Sequence, residues 1–133
     1  LLQNKKTLSV AESCTSGALS ALITKVPGSS KYYKGGIIAY QDMIKENVLS
    51  IDARYINRDT SVSNEVVSEM ANQCRLKFNS DFAIATSGYS GPTGGTEKNP
   101  IGTVFIAIAS SNDISSCGLS CIERTLLPDS LLI

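Results

Sequence analysis

An α/β domain, with helices on both faces of a mixed sheet, is the fold that the sequence predicts. Short β-prone runs alternate with stretches whose apolar residues recur at helical spacing, in the order strand, helix, strand, helix, helix, strand. The last strong strand, Ile101 to Ala109, is followed after a short polar connection by another β-prone run, which reads as an antiparallel hairpin. Two of the runs end in loops dense in glycine and hydroxyl residues, at 13–17 and 86–96.

Residues 7–11 read as the first strand. Ser13, Thr15, Ser16 and Gly17 follow within five positions, and then Leu19, Leu22, Ile23 and Val26 set a helix over about 16–25. A strand that feeds a helix through a small-residue turn gathers free backbone N–H groups, hydroxyls and the positive end of the helix dipole at one point. Such a point suits a carboxylate, a phosphate or a developing oxyanion. The same residues also fit an ordinary helix cap, with Thr15 or Ser16 as the N-cap. Pro27-Gly28-Ser29-Ser30 stops the helix, residues 32–36 read as a loop, and Ile37-Ile38-Ala39-Tyr40 reads as a short buried strand. Asp42 is placed to cap a short helix carrying Ile44, Lys45, Val48 and Leu49, and residues 50–61 read as polar and irregular. Ser63 is the expected N-cap of a longer helix, with Glu65 in its first turn and Val62 and Val67 as a hydrophobic staple. Val67, Met70, Ala71, Cys74 and Phe78 give that helix one apolar face, and Asn79-Ser80 ends it. Phe82 to Ala85 is a further buried strand; the run 115–125 is expected to pair with 101–109 through the connection Ser110 to Asp113.

Composition bounds the chemistry. The chain has 133 residues, enough for one domain with a real core, and its opening Leu points to a trimmed or partial chain. Twelve basic and twelve acidic residues balance, and no basic stripe suggests a nucleic-acid partner. No apolar run approaches the roughly 20 residues that span a bilayer, and no signal-peptide pattern opens the chain. Cys14, Cys74, Cys117 and Cys121 match no disulfide scaffold and no zinc knuckle, so reduced thiols and a cytoplasmic location are expected. The absence of histidine excludes most. Neither a Ser-His-Asp nor a Cys-His unit can be assembled, nor a His-ligated metal site; a base must be Lys, a carboxylate, Tyr or water.

Open α/β sheets bind ligands at the carboxyl ends of their parallel strands. The two glycine-and-hydroxyl loops both follow strands, and a third strand ends at Tyr40, five residues before Lys45. If the three strands are parallel, these groups converge on one edge. The residues also carry a resemblance. Ala11-Glu12-Ser13-Cys14-Thr15-Ser16-Gly17 resembles the Ala-Glu-Ser-Cys-Thr-Gly-Gly signature of the CinA carboxy-terminal domain family. Pro27 to Ser30, Tyr33, Gly35-Gly36 through Tyr40, and Lys45 follow at that family's spacing. So do Val62-Ser63 with Glu65, Ser87-Gly88, Gly91-Pro92, Gly94-Gly95 and Pro100 to Val104. The likeness covers about residues 7–109. Departures stand at Ser16 for a glycine, Gln41-Asp42 for Ser-Asn, Tyr89-Ser90 for Ile-Ala and Asn99 for a lysine, and the sequence after Arg124 stops short of the family's final helix.

The resemblance implies a three-layer α/β/α sandwich on a mixed, mostly parallel sheet of about five strands. It also implies an amidase that hydrolyses the carboxamide of nicotinamide mononucleotide to nicotinate mononucleotide and ammonia. Amide hydrolysis needs a nucleophile, a base, oxyanion donors and an acid for the departing ammonia. Without histidine a Ser-Lys arrangement is economical: Ser13, or else Thr15, attacks, and a desolvated, partly neutral Lys45 takes the proton. Backbone N–H groups in the turn with Ser16 and Gly17 hold the oxyanion, and Glu12 anchors that turn. The loop carrying Ser87, Gly88, Gly91, Gly94, Gly95 and Thr96 cradles the 5′-phosphate, and Tyr40 meets the pyridinium ring. No cofactor and no metal are expected; the partners are a small-molecule nucleotide and further copies of the chain. The alternative is a catalytically silent nucleotide-binding or assembly module.

Overall fold

The structure, a computed structural model, describes residues 1–59 and 61–120. Five strands, β1 (Leu8–Glu12), β2 (Tyr33–Ile38), β3 (Phe82–Gly88), β4 (Thr103–Ala109) and β5 (Ile114–Ser120), form one sheet in the order β2-β1-β3-β4-β5. β1 runs parallel to both β2 and β3, while β3–β4 and β4–β5 are antiparallel pairs. The helices are α1 (Ala18–Thr24), α2 (Asp42–Asn47), α3 (Ala53–Asp59) and α4 (Asn64–Phe78), with a single 3-10 turn at Ser29–Lys31. The expected α/β fold on a mixed five-stranded sheet is therefore present.

α4 is the principal covering element. The Ser63 hydroxyl accepts from the Val66 amide at 3.1 Å, Glu65 sits in the first turn, and Asn79 closes the helix in a left-handed conformation. Val66, Val67, Met70, Ala71 and Cys74 are all buried, and the helix packs on all five strands. Each large apolar side chain so buried contributes roughly 1.5–3 kcal/mol. The inward positions of the strands complete this layer: Ala11, Ala83, Ala85, Phe105, Ala107 and Ala109 join one core with α4. Small residues opposite α4 let the helix lie close; at Gly118 a Cβ would stand 2.8 Å from the Phe105 ring.

The other face is covered unequally. Along β1, Ser9 and Ala11 face α4, so alternation turns Leu8, Val10 and Glu12 to the opposite side, where Glu12 meets α1. α1 packs on β1 and β2. Among the described residues no helix packs on β3, β4 or β5 from that side. Ile84, Val104, Ile106, Ile108 and Leu119 lie there, and Ile108 and Leu119 are 50% and 52% exposed.

Several expectations change. The first helix starts at Ala18, two residues late, because Ser16 (φ 49) and Gly17 (φ 98) hold left-handed conformations that cannot continue a helix. Neither Thr15 nor Ser16 caps it. The strand expected at 37–40 is β2, which begins at Tyr33 and ends at Ile38; as an edge strand with one neighbour it leaves Ile38 and Tyr40 exposed. Gln41, not Asp42, takes the N-cap position of α2. Residues 53–59, read as irregular, form α3, which packs on α4. β5 starts at Ile114, and the end of the run expected at 115–125, with Cys121, lies outside the described residues.

Candidate active site at the carboxyl ends of β1 and β3

The strand order makes β1 the point of divergence. From β1 the chain crosses to β2 on one side and later returns to β3 on the other, so the crevice beyond the carboxyl ends of β1 and β3 is a topological switch point. Ser13 is the first residue past β1 and occupies this crevice. Its amide donates to the Thr86 carbonyl at 3.0 Å, and its own carbonyl accepts from the Ser16 amide at 3.1 Å. On the other flank the Ala39 amide donates to the Glu12 carbonyl at 2.8 Å, which brings the end of β2 to the same edge.

Glu12, 0% exposed, organises the turn. One carboxylate oxygen accepts from the Thr15 hydroxyl (2.6 Å) and the Leu19 amide (2.8 Å); the other accepts from the Ser20 hydroxyl (2.7 Å) and the Ser20 amide (3.0 Å). Tyr33 donates in turn to the Ser20 hydroxyl at 2.8 Å, its ring passing over Gly36, where a Cβ would stand 3.2 Å from the phenol oxygen. Burial acts to raise the Glu12 carboxyl, but the hydroxyls of Thr15 and Ser20 and the amides of Ser20 and Leu19 outweigh it and hold the group below its ordinary value. The consequence for the expected anion site is direct. The Leu19 and Ser20 amides of α1 are spent on Glu12 and the Ala18 amide on the Thr15 carbonyl, so the helix end is already neutralised from within. The amides of Thr15 and Gly17, one step earlier, make no hydrogen bond among the described residues.

The hydroxyls divide sharply. Thr15 gives its only proton to Glu12, so the 2.7 Å contact between Thr15 and Thr86 has Thr86 as donor. Ser20 donates to Glu12, and Ser87, fully buried, donates to the Ser61 carbonyl at 3.0 Å. Ser13 Oγ engages no partner among the described residues, and Ser13 as a whole is only 7% exposed. Ser16 is exposed, and Gly17 packs under Ile38, whose Cδ1 would lie 3.3 Å from an added Cβ. Lys45 is 2% exposed, and its Nζ pairs with Asp42 Oδ1 at 3.2 Å; no hydrogen bond joins it to Ser13. Tyr40, 64% exposed, stands at the rim beyond β2.

The glycine-rich loop leaves β3 beside this crevice. Gly91, Gly94 and Gly95 have positive φ, and at Gly88 an added Cβ would lie 2.5 Å from the Thr103 carbonyl. Thr96 and Asn99 close the loop on itself: the Thr96 amide donates to the Asn99 carbonyl (2.8 Å), and the Asn99 amide donates to the Thr96 hydroxyl (2.9 Å). Asn99 Nδ2 then donates to the Val62 carbonyl at 3.1 Å, tying the loop to the start of α4. Ser20 and Thr86 are the residues here to which the sequence reading gave no role; Asp42 was expected only as a helix cap, Tyr33 only as a match to the family spacing and Asn99 only as a departure from it. Thr86 carried one signal, as the first residue of the loop expected at 86–96; the structure instead continues β3 through Thr86 and Ser87 to Gly88, in register with β4, and the loop starts after it.

The chain is thus an α/β domain on a mixed sheet, with a hydroxyl-rich turn at the switch point where open α/β sheets bind their ligands. The comparisons with known proteins narrow the class. A family model described as the CinA C-terminal domain matches residues 1–123. The chain is 47% identical over 112 residues to a CinA-like protein of Amoebophilus asiaticus, covering 84% of this chain and 27% of that protein. It is 44% identical over 116 residues to a CinA-like protein of Fervidobacterium nodosum, covering 87% and 28%. Among solved structures, the competence damage-inducible protein A of Klebsiella pneumoniae superposes with a TM-score of 0.91 at 30% identity, over 99% of this chain and 80% of that one. A CinA superfamily protein of Escherichia coli superposes with a TM-score of 0.90 at 29% identity, over 99% and 75%. The chain belongs to the CinA C-terminal domain family. It spans about a quarter of the length of the curated relatives it matches.

Proposed function

We propose that the domain hydrolyses the carboxamide of a pyridine nucleotide, nicotinamide mononucleotide, releasing ammonia. The observation that carries the reading is the state of Ser13: Thr15, Ser20, Thr86 and Ser87 around it have all committed their hydroxyl protons, Ser16 is exposed, and Ser13 alone combines burial with an uncommitted hydroxyl. The family resemblance supplies the substrate class. Ser13 Oγ attacks the carboxamide carbon, and its proton passes to Lys45. The amides of Thr15 and Gly17 hold the oxyanion, the C–N bond breaks with the nitrogen protonated to leave as ammonia, and water then cleaves the ester to regenerate Ser13. Tyr40 offers its exposed ring to the pyridinium, and Gly88 at the end of β3, with the loop carrying Gly91, Gly94, Gly95 and Thr96, faces the 5′-phosphate, the glycines with backbone donors and Thr96 with its hydroxyl. The Ser87 hydroxyl ties the end of β3, from which that loop leaves, to the Ser61 carbonyl before α4.

A second reading, a silent nucleotide-binding or assembly module, is favoured by one observation: Lys45 Nζ rests on Asp42 and not on Ser13. Catalytic contacts often close only when substrate binds, so the two readings part at the bench. Purified protein is incubated with nicotinamide mononucleotide while ammonia and bound nucleotide are both measured. Ammonia released in proportion to enzyme and time supports the amidase; saturable binding without release supports the module.

A further inference from the structure

We infer that Thr86 is a positioning residue for Ser13, an assignment that rests on the amidase reading for its substrate but not for its geometry. Thr86 belongs to β3, pairs with Glu12 in the sheet, and is almost fully buried on the α1 side. It holds the turn after β1 at two points. Its carbonyl takes the Ser13 amide at 3.0 Å, and its hydroxyl donates to Thr15 Oγ1 at 2.7 Å. The first contact removes the Ser13 amide from the pool of oxyanion donors and fixes the direction in which the Ser13 side chain leaves the backbone. The second fills a lone pair of Thr15, whose proton is already spent on Glu12. Thr15 thereby becomes part of a frame running Thr86, Thr15, Glu12, Ser20 and Tyr33, all links at 2.6–2.8 Å. The frame bridges β3, the turn, β1, α1 and β2 beneath the buried, uncommitted hydroxyl of Ser13.

The chemistry of the frame explains why a hydroxyl is needed at residue 86. Valine has the same shape but no proton to give, so Thr15 would keep its bond to Glu12 and lose its tie to β3. The turn would then be fixed to β1 and α1 but free to shift against the strand on which the glycine-rich loop depends. A displacement of the nucleophile by about 1 Å costs on the order of a hundredfold in rate. Binding of nucleotide, which uses the loop and the rim, does not depend on that placement.

The test compares wild-type protein with Thr86→Val and Thr86→Ser in two assays. The first is turnover of nicotinamide mononucleotide. The second is the rate at which p-nitrophenyl acetate acylates Ser13, followed by p-nitrophenol release and by the mass of the Ser13 peptide. Thr86→Val should lower kcat and the acylation rate by roughly ten- to a hundredfold with KM within about twofold of wild type. Thr86→Ser, which keeps the donor, should restore most of both, and the melting temperatures of all three should stay close. A wild-type acylation rate in Thr86→Val would overturn the inference, as would a loss that Thr86→Ser fails to rescue, or a wild-type Ser13 that is not acylated. A wild-type protein that is acylated at Ser13 but releases no ammonia would instead sink the amidase reading, and the acylation rates would still decide the role of Thr86.

Discussion

Ser13 and Thr15 stand two residues apart and carry the same functional group, yet the structure treats them oppositely. Thr15 donates to a buried carboxylate and accepts from Thr86, which leaves it one lone pair and no proton to lose cheaply. Ser13 keeps both. Ser13→Ala should therefore lower turnover by about a hundredfold or more with the fold intact, while Thr15→Ala should act mainly on stability, through Glu12. A dead Thr15→Ala enzyme beside a near-normal Ser13→Ala enzyme would reverse the assignment. Lys45 is tested by its two nearest mimics. Lys45→Met fills the same buried slot without a nitrogen, and Lys45→Arg keeps a fixed charge but is a poor base, so both should be inactive in steady-state assays. An active Lys45→Arg enzyme would mean that the charge, and not proton transfer, is what the site uses. How far these roles could be read beforehand follows from distance along the chain. Ser13, Thr15 and Lys45 were singled out from composition, motif and the lack of histidine. Thr86 was not, because its partner lies 71 residues away in sequence and the contact exists only once β1 and β3 pair.

The same argument separates the elements. α4 was legible almost to the residue because its signals are local: Ser63 caps Val66 three residues on, and the apolar spacing names the buried face. α1 was legible as a helix but not in what holds it. It has no buried residue, and its first turn is anchored by a carboxylate on the preceding strand, seven and eight residues upstream. α3 lacked an apolar stripe and was missed; its support comes from α4 and not from its own sequence. β2 was misplaced by two to four residues because an edge strand does not bury the alternation that marks a central one. The anchoring of α1 gives a pH prediction. The Glu12 carboxyl in the folded chain sits below its ordinary value of 4.5, so its contribution to stability is complete above about that pH. It is lost as pH falls through the lower folded value. Urea melts from pH 7 to pH 3.5 should show this loss in the wild type. Glu12→Gln should be about 1–2 kcal/mol less stable at pH 7 and should show a flatter decline with acid, since its amide presents a donor where only acceptors fit. An equally steep decline in the variant would remove Glu12 from this role.

At the scale of the molecule, the amidase reading uses side chains and backbone alone. Turnover should accordingly survive prolonged treatment with EDTA; loss of activity that a single divalent ion restores would require a metal in the mechanism. The unequal cover of the sheet has a further consequence, which concerns time. One side of the sheet is sealed by a fifteen-residue helix that packs on every strand, the other by a seven-residue helix that reaches two. Amide protons should therefore exchange with solvent deuterium on two separate clocks. Those of α4, β1 and β3 should wait for global unfolding, slowing with every gain in overall stability. Those of α1 should exchange through detachment of that helix alone, at a rate that a mutation in the α4 core such as Met70→Ala leaves unchanged and that Glu12→Gln accelerates. The hydroxyl frame beneath Ser13 includes Ser20 of α1, so the slower of these clocks measures how long the domain lasts, and the faster one how often its turn is unmade and rebuilt.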